Sequence, residues 1–416
     1  MSEMIPESWK VYQLSSILKL KHGYQFRTPD FRELGVKVVK IGQVIGDGKL
    51  DLTDCNFISE ELAGEKRDFL LSAGDILMSL TGNIGRVGIV PDIKSPLIQN
   101  YRVGKFVPLN KHVEHNFLYQ LLSSNIATYQ FEINSNTTAQ ANFGKSDIDK
   151  VTVNLPPLAE QKKIGDILTS VDQVIEKTES EISKLQDLKK GMMQQLLTQE
   201  IGHTQFKDSP VGRVPVGWDL SKCSNLCSRI FVGIASSTTH AYSDQTGVVI
   251  LRNQNILDNK IDQSDLLYIN KEFSEENASK KLKKGDVISA RTGYPGISAV
   301  ISSEFENCHT FTTLISRPNH QTILPEFYCR FLNSSKGKNQ INKLQAGGAQ
   351  QNLNVEMMKE ILIPLPPLEE QKKIADILTS IDDSIQQEEK ELEQTQNLKK
   401  SLMQDLLTGK VRVKVD

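Results

Sequence analysis

No stretch of this 416-residue chain approaches the roughly 18 apolar residues that a membrane-spanning helix needs. The opening MSEMIPESWK also lacks the apolar run of a secretory leader, so the expected location is the cytoplasm, away from membranes. Cysteine is scarce and unpatterned. Cys55, Cys223, Cys227, Cys308 and Cys329 form an odd, scattered set, which argues against a disulfide framework and against the paired CxxC spacing of a zinc site. No excess of basic residues marks the chain as a polycation, since its formal net charge is −2. Nucleotide signatures are missing too. Gly42–Leu50, GQVIGDGKL, has one residue too many for a phosphate loop and lacks the following Ser or Thr. Gly82, Gly85 and Gly88 are spaced GxxGxxG, which suits turns better than a dinucleotide fingerprint. Neither a methyltransferase cofactor loop nor a nuclease pattern is complete, so the expectation is a chain with no catalytic residues, no metal and no bound cofactor.

What the chain does have is a repeat. Pro156 to Thr198 and Pro366 to Thr408 align at a constant offset of 210, and from Leu155 to Thr198 there are 27 identities in 44 positions. Fainter echoes extend the unit: Pro6 and Trp9 answer Pro215 and Trp218, Gly74-Asp75 answers Gly285-Asp286, and Thr81-Gly82 answers Thr292-Gly293. Gln43 and Gln254, 211 apart, form another such pair, as do Ala139-Gln140 with Asn142 and Ala349-Gln350 with Asn352. One structural unit is therefore used twice. The expected division is a first variable domain over 1–155, a helix over 156–198, a linker over 199–214, a second variable domain over 215–365, and a second helix with the tail over 366–416.

The repeated segments have the 4,3 apolar rhythm of a coiled coil. In the first copy the seam runs through Ile164, Leu168, Val171, Ile175 and Ile182, and in the second through Ile374, Leu378, Ile381, Ile385 and Leu392. Paired prolines open each helix, and Gly409 closes the second. About 40 residues at 1.5 Å rise make a rod of roughly 60 Å. A lone rod would expose its seam, so each copy needs a partner, and the other copy is the nearest one. The short linker then predicts an antiparallel pair, with chain start and chain end near each other. Gly165 and Gly191, where the second copy has Ala375 and Ser401, predict that the first helix is the more flexible.

Charge is divided unevenly. Residues 1–155 carry 17 basic and 17 acidic side chains and residues 210–365 carry 17 and 14, whereas the helical segments together carry 15 and 20. The variable blocks are thus neutral to mildly basic, and the acid belongs to the helices. Each block reads as short β-branched runs bounded by Gly, Asn and Asp, mainly antiparallel, with one helix near its end in VEHNFLYQLLSSN and LPEFYCRFLNSS. Strand ends in the first block carry Lys40, Gln43, Ser79, Thr81, Asn83 and Arg86. Those in the second carry Arg252, Asn253, Gln254, Asn255, Arg291, Thr292 and Tyr294. Arg pairs bidentately with guanine, and Asn or Gln with adenine, so these are candidate base-reading residues, with ordinary turn polarity as the competing explanation. Gln140, Asn142, Gln350 and Asn352 recur in both copies and are expected to brace the block onto its helix.

The doubled PLPPLxEQKKIxDILTSxD segments and the two unlike blocks, each opening PxxW, resemble the specificity (S) subunit of type I restriction-modification systems over essentially the whole chain. The resemblance implies an α+β chain in which two mixed α/β target-recognition domains are separated by an antiparallel two-helix coiled coil with an internal pseudo-twofold repeat. Each domain would read half of a bipartite, asymmetric site in double-stranded DNA. It also implies that the helices dock two methyltransferase (M) subunits and, through them, restriction (R) subunits. S-adenosylmethionine, ATP and magnesium would then belong to those partners. A protein scaffold and a bifunctional restriction-modification enzyme are the alternative readings.

Overall fold

The computed structural model describes residues 6–109, 112–135, 142–197, 203–346 and 352–415, so Gln140 and Gln350 lie outside the described residues. It divides into two compact units. The first comprises Met1–Ser180 with Lys390–Asp416, and the second Glu181–Glu389. Each unit thus holds one variable block and a half of each long helix, Leu158–Leu196 and Leu368–Leu407.

In the first unit a four-stranded antiparallel sheet has the order Val87–Ile89, Ile76–Ser79, Val103–Pro108, Leu18–His22. Leu18 and Leu20 are buried while Lys19 and Lys21 are exposed, the period-two alternation of a sheet with one wet face. A second sheet of five strands pairs Leu97–Gln99 parallel with Val36–Val39. The second unit repeats this plan. Its four-stranded sheet runs Cys227–Val232, Leu314–Pro318, Val287–Ser289, Ser298–Val300, and His309–Thr310 pairs parallel with Val248–Leu251. The expected late helices are present as His115–Ser123 and Pro325–Asn333. Each is followed by a further helix, Asn125–Asn134 or Ser335–Ala346, that the polar sequence did not signal.

A two-stranded ribbon closes each block beside the start of its helix: Lys10–Gln13 with Thr152–Leu155, and Asp219–Lys222 with Leu362–Leu365. Here the repeated residues converge. The Trp9 indole N–H donates to Glu160 at 3.2 Å, and the Trp218 indole N–H donates to Glu370 at 3.1 Å. The same carboxylates also hold a second partner: Arg412 donates to both oxygens of Glu160 at 2.6 and 2.8 Å, and His203 lies 2.9 Å from Glu370. The adjacent glutamines are buried at 1% and 0% exposure and each makes three bonds. Gln161 donates to the carbonyls of His112 and Pro156 and accepts from the Glu114 amide. Gln371 does the same with Thr322, Pro366 and Leu324. In the first unit Arg412 also donates to Ser8 at 3.0 Å, so the tail meets the PxxW segment as expected.

The apolar seam is legible in burial. Ile164, Leu168, Ile182, Ile374, Leu378, Ile381 and Ile385 are buried, and Val171, Ile175 and Leu392 are half-buried. Lysines occupy two seam positions, and each has a carboxylate from the other helix. Lys399 meets Asp172 at 2.6 Å in the first unit, and Lys189 meets Asp382 at 2.7 Å in the second. The variable block contributes the third member. Gln120 donates to Asp172 at 2.5 Å, and Arg330 donates to Asp382 at 2.8 Å.

Gly165 has a packing role beside the flexibility expected of it. A Cβ there would sit 2.7 Å from the Phe117 amide nitrogen and 2.8 Å from a Glu114 carboxylate oxygen, so the glycine permits close packing of helix on block. Gly191 faces open space. Gly165→Ala should therefore destabilise by about 1–3 kcal/mol, and Gly191→Ala should stabilise by up to about 1 kcal/mol. Urea denaturation of the two variants checks the opposite signs.

Candidate nucleic-acid interface

In the first unit the turn Asn100–Arg102 draws the candidate residues together. The Asn100 amide donates to the Val39 carbonyl and the Leu80 amide to the Arg102 carbonyl, both at 3.0 Å. The Phe143 amide donates to Leu80 at 2.9 Å, and Thr81 bridges to Asn142. Asn142 thus belongs to a sheet end and not to the helix joint expected for it. The same holds for Asn352, whose neighbour Leu353 donates its amide to the Arg291 carbonyl at 3.1 Å.

Within this end the candidates have different tasks. Gln43 caps the turn Ile41–Gln43: its side chain accepts from the Lys40 amide at 3.1 Å and donates to the Asp54 carbonyl at 2.9 Å. Lys40 lies 4.2 Å from the centre of the Phe31 ring and bonds Asn56. Burial holds its ammonium pKa below the usual lysine range. Ser79 is buried and its hydroxyl donates to the Asn83 carbonyl. The Thr81 hydroxyl oxygen is covered and has no hydrogen-bond partner among the described residues. Asn83 and Arg86 are exposed on the loop, where Gly82 and Gly85 adopt φ of +73° and +86° and form its turns.

The second unit has the same frame with different side chains. Asn255 caps the turn Asn253–Asn255 by accepting from the Arg252 amide at 2.9 Å and donating to the carbonyls of Asp262 and Asp265. The structural counterpart of Gln43 is therefore Asn255. The 211-residue spacing had pointed to Gln254, which is exposed and donates to Asp265 at 3.1 Å. Asn255 is 1% exposed and fully used inside the fold. Arg252 is paired with Asp265 at 2.8 Å. Asn253 accepts from the Arg291 amide at 2.8 Å and donates to Thr312 at 3.4 Å, while the Arg291 guanidinium donates to the Leu353 carbonyl at 3.1 Å. Thr292 is exposed, and Tyr294 stands out at 79% exposure.

The sequence reading missed Tyr101 and Arg102, whose guanidinium lies 5.2 Å from the Tyr101 ring centre at the middle of this end. It also missed His22, which precedes Gly23 at the end of an edge strand. Burial, with Lys145 as the lesser cause, lowers the pKa of His22. An aromatic-basic pair in a turn between strands was the available signal, hidden because Tyr101 and Arg102 read as the start of the next strand.

Two surfaces with different side chains are thus carried on one repeated frame. The family model described as the type I restriction modification DNA specificity domain matches residues 6–187 and again 215–396. The chain belongs to this family, as a specificity subunit carrying two copies of the domain. It is 30% identical over 420 residues to the MjaX specificity subunit of Methanocaldococcus jannaschii, covering 99% of this chain and 95% of that protein. It is 29% identical over 397 residues to the EcoKI specificity subunit of Escherichia coli K12, covering 89% and 81%. The fold matches the crystal structure of a type I S subunit from M. genitalium at a TM-score of 0.62 and 14% identity, over 97% of this chain and 96% of that one.

Proposed function

We propose that each unit reads one half of a bipartite DNA site, and that the paired helices set the distance between the halves. The carrying observation is that the joint residues recur while exposed loop residues differ: Trp9, Glu160 and Gln161 match Trp218, Glu370 and Gln371, whereas Asn83 and Arg86 give way to Tyr294 and Ile297. A common frame with exchangeable loops is what two readings by one mechanism require. The exposed Asn83, Arg86, Gln254, Thr292 and Tyr294 are the residues best placed for base contact, with the half-buried Arg102 and Arg291 beside them. Lys40, Gln43, Ser79, Thr81, Arg252, Asn253 and Asn255 shape the surface from within.

The two ion pairs support an antiparallel spacer. From Asp172 to Lys189 the first helix advances 17 residues, and from Lys399 to Asp382 the second goes back 17. Two copies of one unit on such a spacer would read their half-sites in opposite orientations, with the target adenines on opposite strands. Exposed residues identical in both helices, Lys162, Asp166 and Ser170 with Lys372, Asp376 and Ser380, offer the same surface twice, suited to two copies of one methyltransferase subunit. S-adenosylmethionine, ATP and magnesium belong to the methyltransferase and restriction partners, and the chain performs no catalysis. The test is sequence-selective binding of duplex DNA by the chain with its methyltransferase partner, weakening with salt in proportion to the phosphates contacted. A scaffold gives no such selectivity, and a hidden enzyme would bind S-adenosylmethionine without its partner.

A further inference from the structure

We infer that the Trp–Glu–Gln constellation at the start of each long helix is a positioning joint that fixes the number of unread base pairs between the half-sites. This rests on the DNA-reading function proposed above. The same three residues occupy the same place in both units, where the ribbon, the first turn of the helix and the variable block meet. Gln161 and Gln371 each tie the helix to two backbone groups of the block, through His112 and Glu114 or through Thr322 and Leu324, and to the carbonyl of the proline that opens the helix. Glu160 and Glu370 are nearly enclosed, with 3% and 15% of their side chains exposed, and each accepts an indole N–H as well as a basic side chain. None of these residues lies on the candidate interface.

The stiffness they supply matters because of leverage. A block of this size reaches roughly 25 Å from joint to reading loops. A tilt of about 8° at the joint then moves those loops by one base step of about 3.4 Å. Apolar packing alone resists such a tilt weakly, because contacts slide, whereas directional hydrogen bonds to backbone groups do not. A loosened joint should therefore admit sites one base pair longer or shorter while leaving both half-site sequences unchanged.

The experiment uses the chain in complex with its methyltransferase partner and a DNA library carrying the native half-sites at varied spacing, with adenine methylation as the readout. Trp9→Phe and Trp218→Phe keep an aromatic ring in place and delete the N–H; Gln371→Glu keeps the size and loses the two donated bonds. Each is expected to lower the preference for the native spacing over its neighbours about tenfold, the effect of one hydrogen bond to a carboxylate for the Trp variants and of two neutral ones for Gln371→Glu, with the half-sites intact. Melting temperatures are measured alongside. Variants that lose stability yet keep the single native spacing overturn the joint. An unaltered complex that is indifferent to spacing overturns both this inference and the ruler on which it rests.

Discussion

Replacing Asp382 by alanine is expected to destabilise the chain by about 3 kcal/mol or somewhat more, because it leaves two cations without their carboxylate. Arg330 is the critical one. Its side chain is 7% exposed, and it donates to Asp382 at 2.8 Å and to the Thr379 hydroxyl at 2.9 Å. Lys189, on the opposite helix, loses its partner at the same time. The equivalent Asp172→Ala removes one cation contact, from Lys399, and a neutral one from Gln120, so the expected cost is only about 1–2 kcal/mol. Chemical denaturation of both variants reads the difference directly. Equal losses would mean that the buried guanidinium is not what makes the second site costly.

The second large effect is on the DNA sequence recognised. Deleting Thr178–Lys184 from the first helix and Gln387–Glu393 from the second removes one heptad from each. The seam then stays in phase, and the Lys399–Asp172 and Lys189–Asp382 pairs are spared. Each deletion shortens the helix by about 10 Å, close to three base steps. Methylation of the native site is expected to fall about a hundredfold or more, since one half-site is then misplaced and several base contacts are lost. The same half-sites should be modified at a shorter spacing. Methylation that continues at the original spacing would show that the helices do not measure it.

Duplication made much of this architecture legible without coordinates. Identity at a fixed offset gave the repeat, and the 4,3 rhythm from Ile164 to Ile182 and from Ile374 to Leu392 gave the helices and their buried stripe, because helical periodicity is a local property. Lysines at two seam positions broke the apolar pattern, and their reason, Asp172 and Asp382 on the other helix, is visible only in three dimensions. The recurring Trp9 and Trp218 were noticed as markers, but their partners Glu160 and Glu370 lie about 150 residues further along. Spacing alone could not pair them.

Polar candidates for the sheet ends were legible in composition, while their individual tasks were not. Gln43 and Gln254 matched by number, yet the capping bonds place Gln43 opposite Asn255, because one hairpin carries an extra residue around Gly46, Asp47 and Gly48 that shifts the register. Polar side chains in short turns serve the turn as readily as they serve a ligand. Lys40, Ser79, Arg252 and Asn255 have inward tasks that no sequence pattern separates from outward ones. The packing role of Gly165 was hidden for a similar reason: it lies in the approach of Phe117, which is 48 residues earlier in the chain.

The most direct test replaces residues 1–155 with the corresponding block of another specificity subunit, keeps both helices and residues 215–365, and sequences the methylated adenines produced by the complex. One half of the recognised site should change while the other half and the spacing stay as they were. A change in both halves, or in neither, would contradict two independent readers joined by a shared ruler.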